Sequence, residues 1–236
     1  MISMRKINAL YNKQMKNFFY NPFVAVSPVL MILLAYLQST ILPYDAPPEA
    51  FAGMLIMVVL MNVLMTGGFT MSCLIAEEKE KFTLNVLITS TVSVLDFFIS
   101  NVLTVATITI VTNVAIYFVM GVDFISFAAF LAVTSLGVVA AIAMGASFGL
   151  LAKNQAAASA MSTPFVLIVI LPIFFQDNFF VDNVLYYFFT EQVGYTLLNL
   201  ASTGEFEWVR MGIITANFIV LLAFFAILYK KRGLEN

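Results

Sequence analysis

Apolar residues run through this chain in six long blocks, at 22–42, 51–75, 97–120, 124–152, 157–175 and 209–229, and Arg210 is the single charged residue inside any of them. An α-helix rises ~1.5 Å per residue, so ~20 apolar residues cross the ~30 Å hydrocarbon core of a bilayer. Each block therefore predicts a transmembrane helix. Barrel strands would alternate polar and apolar positions over ~10 residues, whereas 131–151 is apolar or small on every side. The expected fold class is all-α, a polytopic membrane protein with six transmembrane helices in one domain, 1–236. The first block is of spanning length and no small-x-small site ends it, so it reads as a span and not as a cleaved signal peptide.

Three segments between or before the blocks have a different pattern. In 1–20, Met4, Ile7, Tyr11, Met15 and Phe18 recur at three- and four-residue intervals, with Leu10 and Phe19 alongside, while Arg5, Lys6, Lys13 and Lys16 take other positions. That periodicity predicts a basic amphipathic helix in the headgroup layer, broken at Asn21-Pro22 before the membrane is entered. The segment 76–96 opens with Glu77, Glu78 and Glu80 around Lys79, then alternates Phe82, Val86 and Leu87 with Thr83, Asn85, Thr89 and Ser90, as a short surface helix would. The segment 176–208 carries seven aromatic residues from Phe179 to Tyr195, including Tyr186, Tyr187, Phe188 and Phe189. Its apolar stretches at 184–190 and 193–200 are too short to cross, and they read as two interfacial or re-entrant helices.

Charge orients the spans. Of eleven basic residues, ten (Arg5, Lys6, Lys13, Lys16, Lys79, Lys81, Lys153, Lys230, Lys231 and Arg232) fall on one side of a six-span topology. Positive residues stay inside, so both termini are expected in the cytoplasm, in a bacterial plasma membrane. Composition agrees with the class: 62% hydrophobic and 10% charged, against ~45–50% and ~25% in soluble domains. With no histidine and one cysteine, disulfide frameworks, Cys/His metal sites and Ser-His-Asp triads are excluded within the chain. No Walker A, H-E-x-x-H or G-x-S-x-G sequence occurs, so no catalytic or metal site is expected, and any ATP is hydrolysed by another chain. Nothing points to nucleic acid.

The run from Glu77 through Thr83-Leu84, Leu87, Ser90 and Ser93 resembles the cytoplasmic loop of type-2 ATP-binding cassette (ABC) permeases. In that family an acidic end of the second span leads into a Thr-Leu-x-x-Leu-like helix and a Ser-Pro-x-Ser-like turn. The chain departs from that pattern at Phe82, where the family often has Gly, and at Thr91, where it has Pro. The resemblance extends over nearly the whole chain: basic elbow helix, six spans, this loop, and a partly buried external segment before the last span. It implies an exporter built from two six-span permeases, identical or different, and two cytosolic ATPase subunits that bind ATP and Mg. It assigns coupling to the ATPase to Glu77, Glu78, Glu80, Phe82, Thr83, Leu84, Leu87 and Ser90, and an external gate to the segment holding Tyr186, Tyr187, Phe188 and Phe189.

Inside the spans the polar groups are neutral, which disfavours ion-coupled carriers, because these use intramembrane carboxylates or bases. Asn62, Thr66 and Thr70 follow one another at four-residue steps, one stripe of a helix, and the next span carries Asn101, Thr104, Thr112 and Asn113. Asn62, Thr66, Thr70, Thr112 and Asn113 are the candidate cavity residues; the alternative for each is a hydrogen bond between neighbouring helices. Gly137, Ala141, Gly145 and Gly149 form a small-residue seam for close helix packing. Pro164 and Pro172 are expected to kink the fifth span. A path lined by Thr, Asn, Phe and Met suits a hydrophobic or amphipathic cargo, a peptide toxin, antimicrobial peptide or drug. A polysaccharide or lipid exporter, a non-transporting immunity or sensor subunit that binds hydrophobic peptides, and a channel are the rival readings.

Overall fold

The structure is a computed structural model, and it describes residues 4–41, 43, 47–80, 93–122, 125–170 and 185–232. Among these residues the regular structure is entirely helical. The helices are α1 (Met4–Tyr20), α2 (Pro22–Ile41), α3 (Pro48–Asn62), a π-helical segment (Val63–Phe69), α4 (Thr70–Glu80), α5 (Val94–Met120), α6 (Phe127–Leu151), α7 (Gln155–Ile170), α8 (Phe189–Ser202) and α9 (Trp208–Arg232).

Among the described residues, five stretches are long and apolar enough to cross a membrane: Val24–Ile41, Ala50–Glu80, Leu95–Met120, Phe127–Leu151 and Trp208–Lys231. They coincide with five of the six apolar blocks. The block 157–175 is met by α7, whose 16 described residues fall short of the ~20 that crossing requires; the rest of that block, with Pro172, lies outside the described residues. The helix runs on through Pro164.

Local chemistry explains several boundaries. Ser93 caps α5, its hydroxyl accepting the Asp96 backbone N–H at 3.1 Å, and Gly121 ends the helix in the left-handed region at φ 62°. Within α2, Pro28 removes the donor that would serve the Val24 carbonyl, and the Ser27 hydroxyl donates to that carbonyl instead at 3.2 Å.

The second span is continuous from α3 to α4 but is not one α-helix. It widens into the π-helical segment around Gly67-Gly68, a form found mostly as single-turn insertions in α-helices. The Met65 carbonyl there accepts both the backbone N–H and, at 3.2 Å, the hydroxyl of Thr70.

Packing centres on α6, which meets the π-helical segment, α4, α5, α8 and α9. The small-residue seam is in contact along its length. A Cβ on Gly145 would stand 1.9 Å from the Gly68 carbonyl oxygen, and one on Gly149 would stand 2.7 Å from the Ser72 carbonyl oxygen. At the other end of the seam a Cβ on Gly137 would meet Val193 of α8 at 3.0 Å. Backbone lies on backbone here because no side chain intervenes.

Two expectations change in detail. The buried face of α1 is Ile7, Leu10, Gln14 and Phe18, turned onto α5, while Met4 and Phe19 of the predicted stripe are exposed. Protein, and not lipid alone, takes part of the apolar side. The two short helices expected around 184–190 and 193–200 are replaced, over the described residues, by the single helix α8 running through Gly194. A Cβ on Gly194 would come within 3.3 Å of Ile56, so that glycine serves a close approach to α3.

Candidate functional site

The last described residues of α4 meet four other helices. Asn21, at the junction of α1 and α2, donates its side-chain amide to Glu77 at 3.4 Å, and Gln14 of α1 donates to Glu78 at 3.2 Å. The Lys79 ammonium donates to the carbonyl oxygens of Leu150 and Ala152, each at 2.8 Å. Those are the carbonyls of the last turn and of the capping residue of α6, and a cation at a helix C-terminus also complements its dipole. Glu80 accepts the Gln155 backbone N–H at 3.1 Å, at the start of α7, where acceptors and negative charge are favoured. Four consecutive side chains thus tie α1, α2, α6 and α7 to one point. A cavity of about 390 Å³, lined by residues of α1, α2 and α4, opens beside it.

Of the predicted coupling residues, Glu77, Glu78 and Glu80 stand at this junction; Phe82, Thr83, Leu84, Leu87 and Ser90 lie outside the described residues. The junction also includes residues that the sequence pattern did not single out. Gln14 was hidden because it is polar, although Ile7, Leu10, Gln14 and Phe18 follow the three-and-four spacing of a buried face.

The candidate cavity residues are brought together in part. The Asn62 side-chain amide donates to Asn113 Oδ1 at 2.8 Å and to the Thr109 carbonyl at 3.0 Å, joining the second span to α5. Asn62 Oδ1 and Asn113 Nδ2 are buried and have no hydrogen-bond partner. Thr66 pairs with Ser27 of α2 at 3.2 Å, Thr70 bonds within its own helix, and Thr112 donates to the Ile108 carbonyl at 2.8 Å. All five are buried. Each bond shown is within or between helices of this one chain. Asn101 is fully enclosed, with neither side-chain polar atom hydrogen-bonded.

At the opposite end the predicted gate residues divide. Phe189 is fully buried against Phe188, ring centroids 4.8 Å apart, while Tyr187 is exposed and Tyr186 lies 5.8 Å from Tyr195. The polar group beside them is Gln192, wholly buried, which donates to the Tyr186 carbonyl and accepts from Arg210 at 3.4 Å. Arg210 also pairs with Glu207 and lies over the Tyr195 ring, 5.0 Å from its centroid. On the same helix, outside the five spans, burial pushes the Glu191 carboxyl up to about 7.

Residues 3–229 match the family described as ABC-2 family transporter protein. The chain belongs to that family. It is a multi-pass membrane permease of an ABC transporter, a transport component and not itself catalytic, and membership implies association with ABC ATPase subunits. No curated protein matches the sequence.

Proposed function

We propose that this permease is the membrane half of an ATP-driven exporter, working as a pair of permeases with two ATPase subunits and carrying a hydrophobic or amphipathic cargo outward. On this reading the chain has six spans, both termini lie in the cytoplasm, α1 is the elbow helix, and 76–96 is the coupling loop.

One observation supports the coupling role: Glu77, Glu78, Lys79 and Glu80 bind, in turn, the α1–α2 junction, the buried face of α1, the end of α6 and the start of α7, directly before that loop. A displacement delivered at residue 81 onward would be passed by these bonds to α1, α2, α6 and α7 together. Only ties with two arrangements can transmit a switch, and exposed or half-buried polar ties such as these exchange partners more readily than the seam between Gly68 and Gly145. ATP binding would close the ATPase pair, and the junction would distribute that movement to the bundle. The cargo class rests on the interior polar groups, Asn and Thr without formal charge, which offer exchangeable hydrogen bonds to an amphipathic molecule.

The test is Lys79→Ala in the permease reconstituted with its cognate ATPase. Two hydrogen bonds from a charged donor are lost, each worth about 1.5–3 kcal/mol. The expected result is normal membrane insertion and ATPase binding, with stimulation of ATP turnover by amphipathic peptide reduced about tenfold or more. Full stimulation in this variant would overturn the coupling role, and stimulation by glycolipid alone would overturn the cargo class.

A further inference from the structure

We infer that Asn101 lines a space inside the bundle that opens to water, and that the arrangement shown is the closed one. The residue is fully enclosed, yet neither its amide nitrogen nor its amide oxygen has a hydrogen-bond partner. Among the described residues no other side chain is buried with both of its polar atoms in that condition. Such a group has given up water and gained no bond in exchange, so it disfavours the arrangement that encloses it.

The rest of α5 shows how unusual this is. The hydroxyls of Ser100, Thr104, Thr109 and Thr112 are also buried, but each turns back onto its own helix. They donate to backbone carbonyls three or four residues earlier, at 2.7 Å for Ser100 and 2.8 Å for the three threonines. Asn101 makes no such bond. On its own face of the helix stand Phe97, Phe98, Val105 and Ile108, all buried and apolar. Phe98 packs its ring on Phe225 and Tyr229 of α9, centroids 5.1 and 5.8 Å away, and Ile108 packs with Phe18 of α1 and Val24 of α2. The carboxamide is thus a polar group set between two apolar contacts. A trapped water needs two to four polar partners, and this face of α5 offers the one carboxamide.

An amide in that position is unfavourable when the helices close and favourable when water enters, so it shifts the balance between the two arrangements toward opening. Leucine has nearly the same shape and would fill the position without that cost. Asn101 lies about two turns into α5 from Val94, so the shorter way in is from the end at which α5 begins. That the opened space is the cargo's path rests on the exporter reading above; the opening itself does not.

Two measurements on the full chain test this, both without ATPase or nucleotide. In detergent the Asn101→Leu variant should unfold at a midpoint about 2–4 °C higher. Thr104→Val, on the same helix but bonded to its own backbone, should bring no such rise. An unchanged or lower midpoint for Asn101→Leu would mean that the carboxamide already holds a partner. An equal rise for Thr104→Val would mean that any apolar substitution stabilises α5, and either result overturns the inference. The second measurement follows a small water-soluble thiol reagent in the Cys73→Ala background, which removes the one native thiol. The Asn101→Cys variant should react about tenfold faster than Val138→Cys, because opening reaches the first position and only unfolding reaches the second. Val138 is as deeply enclosed, on α6. Equal rates would overturn the opening. A further change in the Asn101→Cys rate on adding the ATPase and ATP bears on the exporter reading alone.

Discussion

The fourth apolar block and the last one are both continuous apolar helices of spanning length, yet over an apolar stretch of 18 residues 56% are buried in Phe127–Leu151 and only 6% in Trp208–Lys231. Apolarity does not separate them, because lipid solvates a leucine about as well as a neighbouring helix does. The difference lies in what the helices can approach. α6 presents Gly137, Ala141, Gly145 and Gly149 at four-residue steps and is enclosed by the second span, α5, α8 and α9. Along α9 only Ile214 is fully enclosed, and Met211, Phe218, Leu221, Phe225 and Leu228 keep a single three-and-four stripe against the bundle. In a bilayer, small residues in register mark the protein-facing side, and bulk alone marks nothing.

The strongest way to break this contrast is Gly145→Val. Its Cβ would fall 1.9 Å from the Gly68 carbonyl oxygen, 2.6 Å from the carbonyl carbon and 2.9 Å from Gly68 Cα. The obstacle is backbone on both sides, so no rotamer relieves it, and α6 has to separate from the π-helical segment. Overpacking in cores costs about 1–3 kcal/mol and more when the backbone must move; the upper end is expected here. A melting profile in detergent should show a large loss of stability, or the chain should fail to accumulate. A variant as stable as the parent would mean that α6 does not pack on Gly68.

A smaller effect should follow from the polar tie across the same core. Asn62→Ala or Asn113→Ala removes the 2.8 Å bond between the second span and α5. Interhelical hydrogen bonds in membranes are worth about 0.6 kcal/mol on average and up to about 1.7, so a loss near 1 kcal/mol is expected for each. The double variant should cost less than the sum of the two single ones, because the bond can be removed only once. Additivity in that cycle would mean the two amides do not interact.

Outside the five candidate spans, the packed helix α8 gives a dependence on pH. Burial holds the Glu191 carboxyl at about 7, above the usual 4.5, so the folded chain retains a proton that the unfolded chain releases. The folded state then binds more protons between those two values, and stability contributed by Glu191 is full below about 4.5 and is lost as pH rises through 7. Thermal melts from pH 4 to 8, about the range over which such a group titrates, should decline across that window. Glu191→Gln should flatten the decline; an unchanged profile would assign it to another group.

Much of this was legible in one dimension. Spanning length is set by bilayer thickness, so five blocks appear as helices of the expected extent, and the glycine seam on α6 follows from a repeat that needs no partner to be noticed. What one dimension could not supply is which neighbour meets which face. Asn62, Thr66 and Thr70 were placed on one stripe by α-helical spacing, but the π-helical segment Val63–Phe69 intervenes, and the three residues serve α5, α2 and their own backbone respectively. Gly194 shows its use only in three dimensions, as a close approach to Ile56 of α3. The junction at α4 was half legible: its acids stood out, whereas Gln14, Asn21 and the carbonyls that Lys79 holds come from distant parts of the chain.

The smallest effect belongs to α9, and its sign is informative. Gly212 lies in the helix with nothing within 4 Å of the place a Cβ would take, and its φ is not in the positive region. Alanine there frees no strain and meets no neighbour. It reduces the backbone entropy that glycine loses on folding, which in helix interiors is worth roughly 0.5–1 kcal/mol. No protein atom of this chain lies near the site, so the added methyl gains little from packing within the chain. Gly212→Ala should therefore leave stability unchanged or raise it slightly, in opposition to Gly145→Val on α6. Measured in the isolated chain and again in membranes under conditions where the proposed permease pair would form, the variant also tests what covers that face of α9. Neutral behaviour in both settings leaves it to lipid. A penalty that appears only on pairing would place the second permease against Gly212, and the low burial of the last span would then mark an interface between subunits.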